Sequence, residues 1–324
     1  MVCNQFMICI LYSDAKRKYF PTYEQYLTEA EVIHRARLIE TYIRKMGYKT
    51  VLFGGNKELP RNLKKSKPKM VMNLVDSVRG QENLCPVIPA TLELLNIPYT
   101  GSGQMGLAIN ANKFFTKSLL EENGIRVPRF QLFSSSRDRL NRRMKFPLIV
   151  KLNEIHGSVE ITQDSIVENE KNLRKRISRL IRLYKQPILV EEFIAGRELT
   201  VLLVDGVHKK LYCGERVFID GGKYKIVSFE AAWGEKDEYK YKKFHFPEKI
   251  KEDVKKSFDV LKMDDYARFD IRLDKAGRFY MIDANANPAL GPSKAQCAFG
   301  TLLDLYKVPF ERVLKRLLLS TLRN

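Results

Sequence analysis

The chain has 324 residues, 44% of them hydrophobic and 29% charged, which suits a protein of two or three closely packed lobes rather than one small core. No run approaches the ~18 apolar residues of a membrane span, and the start, MVCNQFMICILYSD, lacks a basic segment ahead of its apolar run, so neither a membrane helix nor a signal peptide is expected and the cytoplasm is the expected place. Fifty-seven basic residues against 38 acidic give a net charge of +19, which implies an anionic substrate or partner, or only a lysine-rich background.

The first ~110 residues alternate short apolar runs with amphipathic stretches. Strands are predicted at Phe6 to Leu11, Thr50 to Phe53, Met70 to Leu74 and Pro98 to Gly101. Helices are predicted from about Tyr23 to Met46 and around Pro89 to Asn96, with Gly47 as a helix stop and Gly54-Gly55 as a strand end. This alternation predicts a parallel sheet flanked by helices.

Residues 101 to 106, GSGQMG, spell GxGxxG. A dinucleotide fingerprint needs a strand opening a βαβ unit and an acidic residue ending the next strand, about twenty positions on; Glu121 and Glu122 fall in a helical segment instead, so that reading is rejected.

From residue 114 the pattern is a helix ending at Asn123-Gly124, a linker at Val127-Pro128, a strand at Gln131 to Phe133, a basic helix, and a strand from Pro147 to Leu152. Lys151 closes an apolar run, FPLIVK, and alone fits a snorkelling surface lysine. The loop Asn153 to Val159 carries Gly157 and Ser158, small residues that let backbone N–H groups approach phosphates. In Lys171 to Lys185, Leu173, Ile177, Leu180, Ile181 and Tyr184 recur at helical spacing, which puts the arginines on a solvated face. Neither this cluster nor those at 61–69, 137–145 and 236–256 interleaves aromatics and glycines as RNA-binding modules do.

Residues 188 to 201, ILVEEFIAGRELTV, read as two strands, and a charged edge hairpin is the plain interpretation. Beyond them come a hairpin from Val217 to Val227 around Asp220-Gly221-Gly222 and a basic helix from about Glu248 to Leu261. Five scattered cysteines, Cys3, Cys9, Cys85, Cys213 and Cys297, form no CxxC pair and argue against a disulfide framework, and the four histidines show no zinc-ligand spacing.

The segment Ala267 to Pro292, ARFDIRLDKAGRFYMIDANANPALGP, is the most telling. Alternation over 267–273, the turn Asp274-Lys275-Ala276-Gly277 and the apolar run Phe279 to Ile282 predict a hairpin that brings Asp270, Asp283 and Asn285 together. Carboxylate and amide oxygens suit a hard divalent cation, and magnesium takes its remaining ligands from phosphate and water. Arg268 precedes Asp270 by two, hence on the same strand face, adding a fixed cation suited to phosphoryl transfer.

An Arg-x-Asp strand, a turn and an acidic-x-Asn ending followed by Pro resemble the C-terminal motif of ATP-grasp ligases, most closely the D-alanine:D-alanine ligase branch. Leu95 to Lys113, the Lys151 strand and residues 188–201 resemble further segments of that branch, so the likeness covers about residues 70 to 295. The resemblance implies α/β and α+β architecture, an ATP-grasp fold with an N-terminal Rossmann-like, pre-ATP-grasp domain. Residues 1–110 would form that domain, 111–190 the small ATP-grasp lobe and 191–324 the C-terminal lobe with the metal site. By resemblance, Asp270, Asp283 and Asn285 hold two Mg²⁺ ions, with Mn²⁺ as an alternative, and Arg268 stabilises the transferring phosphate. Lys113 and Lys151 contact the ATP phosphates, Ser158 belongs to the loop above them, Glu191, Glu192, Phe193 and Ile194 surround adenine, and Glu198 takes the ribose.

The resemblance is incomplete on the amino-acid side. Gly157 stands where the family has a substrate-binding serine, Ala232 where a lysine reaches the phosphates, with Lys225 or Lys236 as replacements, and Leu11 to Asp14 lacks the glycine-rich start and glutamate that bind the first substrate, leaving Glu24 or Glu29. The expectation is an ATP-dependent carboxylate-amine ligase acting through an acyl phosphate on small amino-acid or acidic peptide substrates, with a non-standard substrate. The family leaves a homodimer open. The alternative is a nucleotide-sensing or nucleic-acid-binding protein that keeps the fold without the chemistry.

Overall fold

The computed structural model describes residues 6–323 except 207, 220–221 and 235–237. Cys3, Asp220, Gly221 and Lys236 therefore lie outside the described residues.

The run MICILY forms β1 (Met7–Tyr12), whose central residues are buried on both faces, as a mid-sheet parallel strand requires. It lies between β2 (Lys49–Gly54) and β3 (Met70–Leu74), with β4 (Tyr99–Thr100) beyond β3, every pairing parallel. Helices α1 (Tyr23–Ala30), α2 (Val32–Lys45), α3 (Leu59–Ser66) and α4 (Val87–Leu94) connect the strands. The single helix expected over 23–46 is two. Glu31 separates them, and His34 N–H reaches back only three residues, to Glu31 O at 3.1 Å.

After α5 (Gln104–Asn110) and α6 (Lys113–Glu122) comes a second sheet in the order β5 (Phe130–Phe133), β8 (Ile188–Glu192), β6 (Leu148–Leu152), β7 (Ile166–Val167), with α7 (Glu170–Tyr184) against it. At Gly106 a Cβ would stand 2.2 Å from Lys262 O, so the last glycine of GxGxxG serves close packing. No helix forms over 134–147, contrary to expectation. Asp138 instead accepts from the Ser134 and Ser135 N–H groups at 2.8 and 2.9 Å, while Gln131 bonds Arg139 O and Asn141 N, so side chains take over groups that helical turns would use. In α7 Leu173, Ile177, Leu180 and Tyr184 of the apolar stripe are buried and Ile181 is half-buried, but Arg176 is buried too, donating to Glu160 O.

The third sheet is antiparallel, in the order β11 (Tyr239–Lys243), β10 (Lys210–Phe218), β9 (Gly196–Val204), β12 (Tyr266–Asp274), β13 (Phe279–Asn285). Strand β10 pairs with β11 and not with residues 222–227, which correct the expected 217–227 hairpin; there the chain leads into the short α8 (Phe229–Trp233). Helix α9 (Glu248–Val260) covers one face together with α6, through Val254, Phe258, Phe269 and Ala284 in one apolar cluster. Helices α10 (Ala298–Leu305) and α11 (Phe310–Thr321) join the third sheet to the first, since Leu302, Leu314 and Leu318 share a core with Ile8, Ile10 and Met72. Cys9, Cys85, Cys213 and Cys297 are buried and unpaired. No helix among the described residues is long and apolar enough to cross a membrane.

Candidate active site

The β12–β13 hairpin turns where expected: Asp274 caps it, accepting from Ala276 N and Arg278 N, and Gly277 takes φ +76°. Asp270 lies opposite Asp283 and Arg268 opposite Asn285, so all four side chains share one sheet face while Phe269 and Ala284 enter the core on the other. Between these pairs and the turn the register slips: Ile271 faces Met281, leaving Ile282 as an extra residue. Its carbonyl accepts from Lys117 Nζ at 3.0 Å.

Asp270 is buried and fully engaged. Thr200 Oγ1 donates at 2.9 Å, Arg268 stands at 3.2 Å and Arg216 at 3.3 Å. Burial pushes Asp283 up, but Lys113, His156, Lys151 and Arg268 outweigh it and hold this carboxyl below its ordinary range. Asp283 is thus ionised at neutral pH.

Lys113 and Lys117 are one turn apart on α6, and both ammonium groups point inward from a helix whose start is fixed by Asn112 and Asn153. Burial lowers both lysines, with Asp283 opposing most at Lys113 and Glu191 at Lys117. Glu191, only 1% exposed, takes Lys151 at 3.1 Å and Lys117 at 3.3 Å. It is therefore the counter-ion of two lysines. Glu192 turns aside to accept from Lys145 N at 2.8 Å. Glu198 is clamped between the buried Arg216 and Arg272, and Arg272 also stacks over Phe193, 5.2 Å from the ring centre.

Two cavities meet at the loop over this face. The larger, of about 610 Å³, is lined by Lys113, Lys151, Arg268, Asp270 and Asp283, by Ser158, and by Glu191 to Ile194 with Glu198. Asn285 lines the smaller, of about 150 Å³, together with Arg268, Glu29, Asp76 and Glu82. His156 and Gly157 belong to both walls. The loop is tied down twice: Trp233 Nε1 donates to Gly157 O at 2.8 Å, and Glu82 receives His156 N at 2.8 Å and contacts His156 Nδ1. Ser158 sits in it with φ +57°. Of the two glutamates left open by the sequence, Glu29 lies in the cavity wall. Burial, then Asp76 and Glu82, push it up to about 8. Trp233 occupies the place next to Ala232, and Lys225 lines neither cavity.

No group of three or more His, Cys, Asp or Glu able to hold a metal occurs among the described residues. Asp270, Asp283 and Asn285 nonetheless give hard oxygens on one face, beside cations that attract phosphate, and fit magnesium bound jointly with phosphate oxygens. Lys117, Arg216, Arg272, Glu82 and His156 escaped the sequence reading. The i,i+4 spacing of Lys117 behind Lys113 was the one available signal.

This face, walled by a parallel first domain and two antiparallel sheets, defines an ATP-grasp ligase, an enzyme that forms a C–N bond with ATP. Residues 119–316 match the family described as D-ala D-ala ligase C-terminus. The D-alanine–D-alanine ligase of Aquifex aeolicus is 29% identical over 275 residues, 81% of this chain and 87% of that one. The uncharacterized protein y4sG of Sinorhizobium fredii is 25% identical, covering 78% of both chains. The structure of D-alanine–D-alanine ligase from Bacillus anthracis complexed with ATP superposes with a TM-score of 0.74 at 20% identity, over 98% of each chain. The chain belongs to the D-alanine–D-alanine ligase family.

Proposed function

We propose that this protein joins a carboxylate to an amine through an acyl phosphate, with ATP as phosphoryl donor and small amino acids as substrates, D-alanine first among them. The observation that carries this reading is the placement of Arg268, Asp270 and Asp283 in one cavity with Lys113 and Lys151. Amide formation from a free carboxylate would require hydroxide to leave; phosphorylation supplies a better leaving group. The expectation of a non-standard substrate finds no support in the relatives, several of which are named D-alanine–D-alanine ligases. The non-enzymatic alternative is set aside, because the chain belongs to a ligase family.

In this reading Lys113 and Lys151 hold the phosphates, and Arg268, whose Nε has no hydrogen-bond partner among the described residues, meets the charge on the transferring group. Asp270, Asp283 and Asn285 would hold two magnesium ions, which would neutralise charge on the phosphates. Phe193 and Ile194 line the adenine end with Glu191 and Glu192, and Glu198 offers its remaining lone pairs to the ribose. The division into lobes at 1–110, 111–190 and 191–324 fits this reading with its second join moved to the link between Glu192 and Gly196, where one sheet ends and the next begins.

Magnesium-dependent ADP release over D- and L-amino acids and acidic dipeptides, with Asp283→Ala as the blank, tests the reading. Release that requires an added amino acid and vanishes in the variant is expected. Absence of release with every substrate, despite ATP binding, would overturn it.

A further inference from the structure

Half of the buried side-chain polar atoms without a partner among the described residues belong to residues around the 150 Å³ cavity: Glu29 Oε2, Arg35 Nε, His156 Nε2, Arg268 Nε and Asn285 Nδ2. Burying such groups unpaired costs about 1–3 kcal/mol each, so a concentration of them marks a place where a polar ligand completes the bonding. One belongs to a residue that could also move a proton. His156 is fixed by Glu82 at both its backbone N–H and its Nδ1. A carboxylate at Nδ1 makes that nitrogen the donor and leaves Nε2 as an acceptor. The ring lies in the wall shared by the two cavities, between the phosphate-facing lysines and the carboxylates of the smaller cavity.

We propose that His156, oriented by Glu82, is the base that takes a proton from the attacking amine. The inference rests on the ligase reading above and adds the step that reading lacks. An amino acid arrives as an ammonium ion, which has no lone pair for attack. Nε2 takes one N–H proton; the freed pair forms the N–C bond; the C–O bond to phosphate breaks; and the leaving phosphate takes the second N–H proton. The amide and hydrogen phosphate are formed, and the imidazolium returns its proton to solvent. Charged groups from the surrounding elements share the cavity walls with the imidazole: Glu82 before α4, Glu29 on α1, Asp76 after β3, Arg35 on α2, Lys113 on α6, Lys151 on β6, and Arg268 and Asp283 on the hairpin.

The test compares two amines with D-alanine as the carboxylate: D-alanine itself, and hydroxylamine, which is neutral at neutral pH and needs no base before attack. In His156→Gln, dipeptide formation is expected to fall ~10²-fold or more while hydroxamate formation continues at the wild-type rate, which also shows that the variant folds. In Glu82→Gln, which loses the carboxylate that orients the ring, dipeptide formation falls as well, and the hydroxamate rate does not change. Equal losses of both products in His156→Gln would overturn the assignment and leave the residue a structural clasp. Wild-type protein that makes neither product nor ADP overturns the ligase reading, and the base falls with it.

Discussion

Lys117 Nζ lies 3.0 Å from the carbonyl of Ile282 and 3.3 Å from Glu191, so one buried ammonium joins the bulge of the β12–β13 hairpin to the end of β8. A bulge aims a side chain by leaving one backbone group outside the ladder. Here Asp283 is the residue aimed and Ile282 O the group left over.

Replacing Lys117 by Met should destabilise the fold by about 3 kcal/mol, since it removes a partner from a buried ion pair and strands a carbonyl. Lys151 still faces Glu191, so the loss should stop short of unfolding. Urea titration of the two proteins checks the stability. A parallel ATP titration should show weaker nucleotide binding.

Arg268→Ala should lower turnover by ~10²- to 10³-fold, the usual effect of losing one preorganised donor. ATP binding should persist, because Lys113 and Lys151 remain and Asp270 retains Thr200 and Arg216. Steady-state ADP release alongside calorimetric ATP binding separates the two. Near-normal turnover would remove Arg268 from the reacting centre.

Glu29 predicts a pH dependence of stability. Burial, then Asp76 and Glu82, raise its folded-state pKa to about 8 from 4.5, so between these values the native state holds a proton that the unfolded chain releases. Its contribution is therefore present at low pH and is lost as pH rises through that window. Glu29→Gln should flatten the decline and be the more stable protein at pH 8, as thermal melts across the range would show. If the two curves run parallel, Glu29 is not the group responsible.

Glu198→Gln should cost about 3 kcal/mol, because Arg216 and Arg272 are buried on either side of it and lose their shared carboxylate. Its effect on affinity should be larger for ATP than for inorganic triphosphate. Competition binding with the two ligands makes that comparison.

The hairpin was legible in the sequence because its determinants are local: alternation, a turn with Gly277, and polar residues two apart on each strand. The lysines were legible in unequal measure. Lys151 ends an apolar strand and Lys113 opens a helix, whereas Lys117 lies inside KFFTKSLLEE and resembles any solvated helix lysine until Glu191 and Ile282 arrive from about 70 and 165 residues away. The Glu82–His156 contact spans 74 positions and has no periodic signature. The missing helix over 134–147 failed for the opposite reason: basic residues with good helix propensity were overruled by Asp138 and Gln131, whose side chains bond the backbone directly.

Trp233 is the chain's one tryptophan, and its indole N–H is tied to Gly157 in the loop that shares a cavity wall with Lys113 and Lys151. The native emission spectrum therefore comes from a single lamp hung beside the cleft. Any movement of that loop when nucleotide is added will change the lamp's contact with water. Stopped-flow mixing can then time loop closure separately from chemistry, on unlabelled protein.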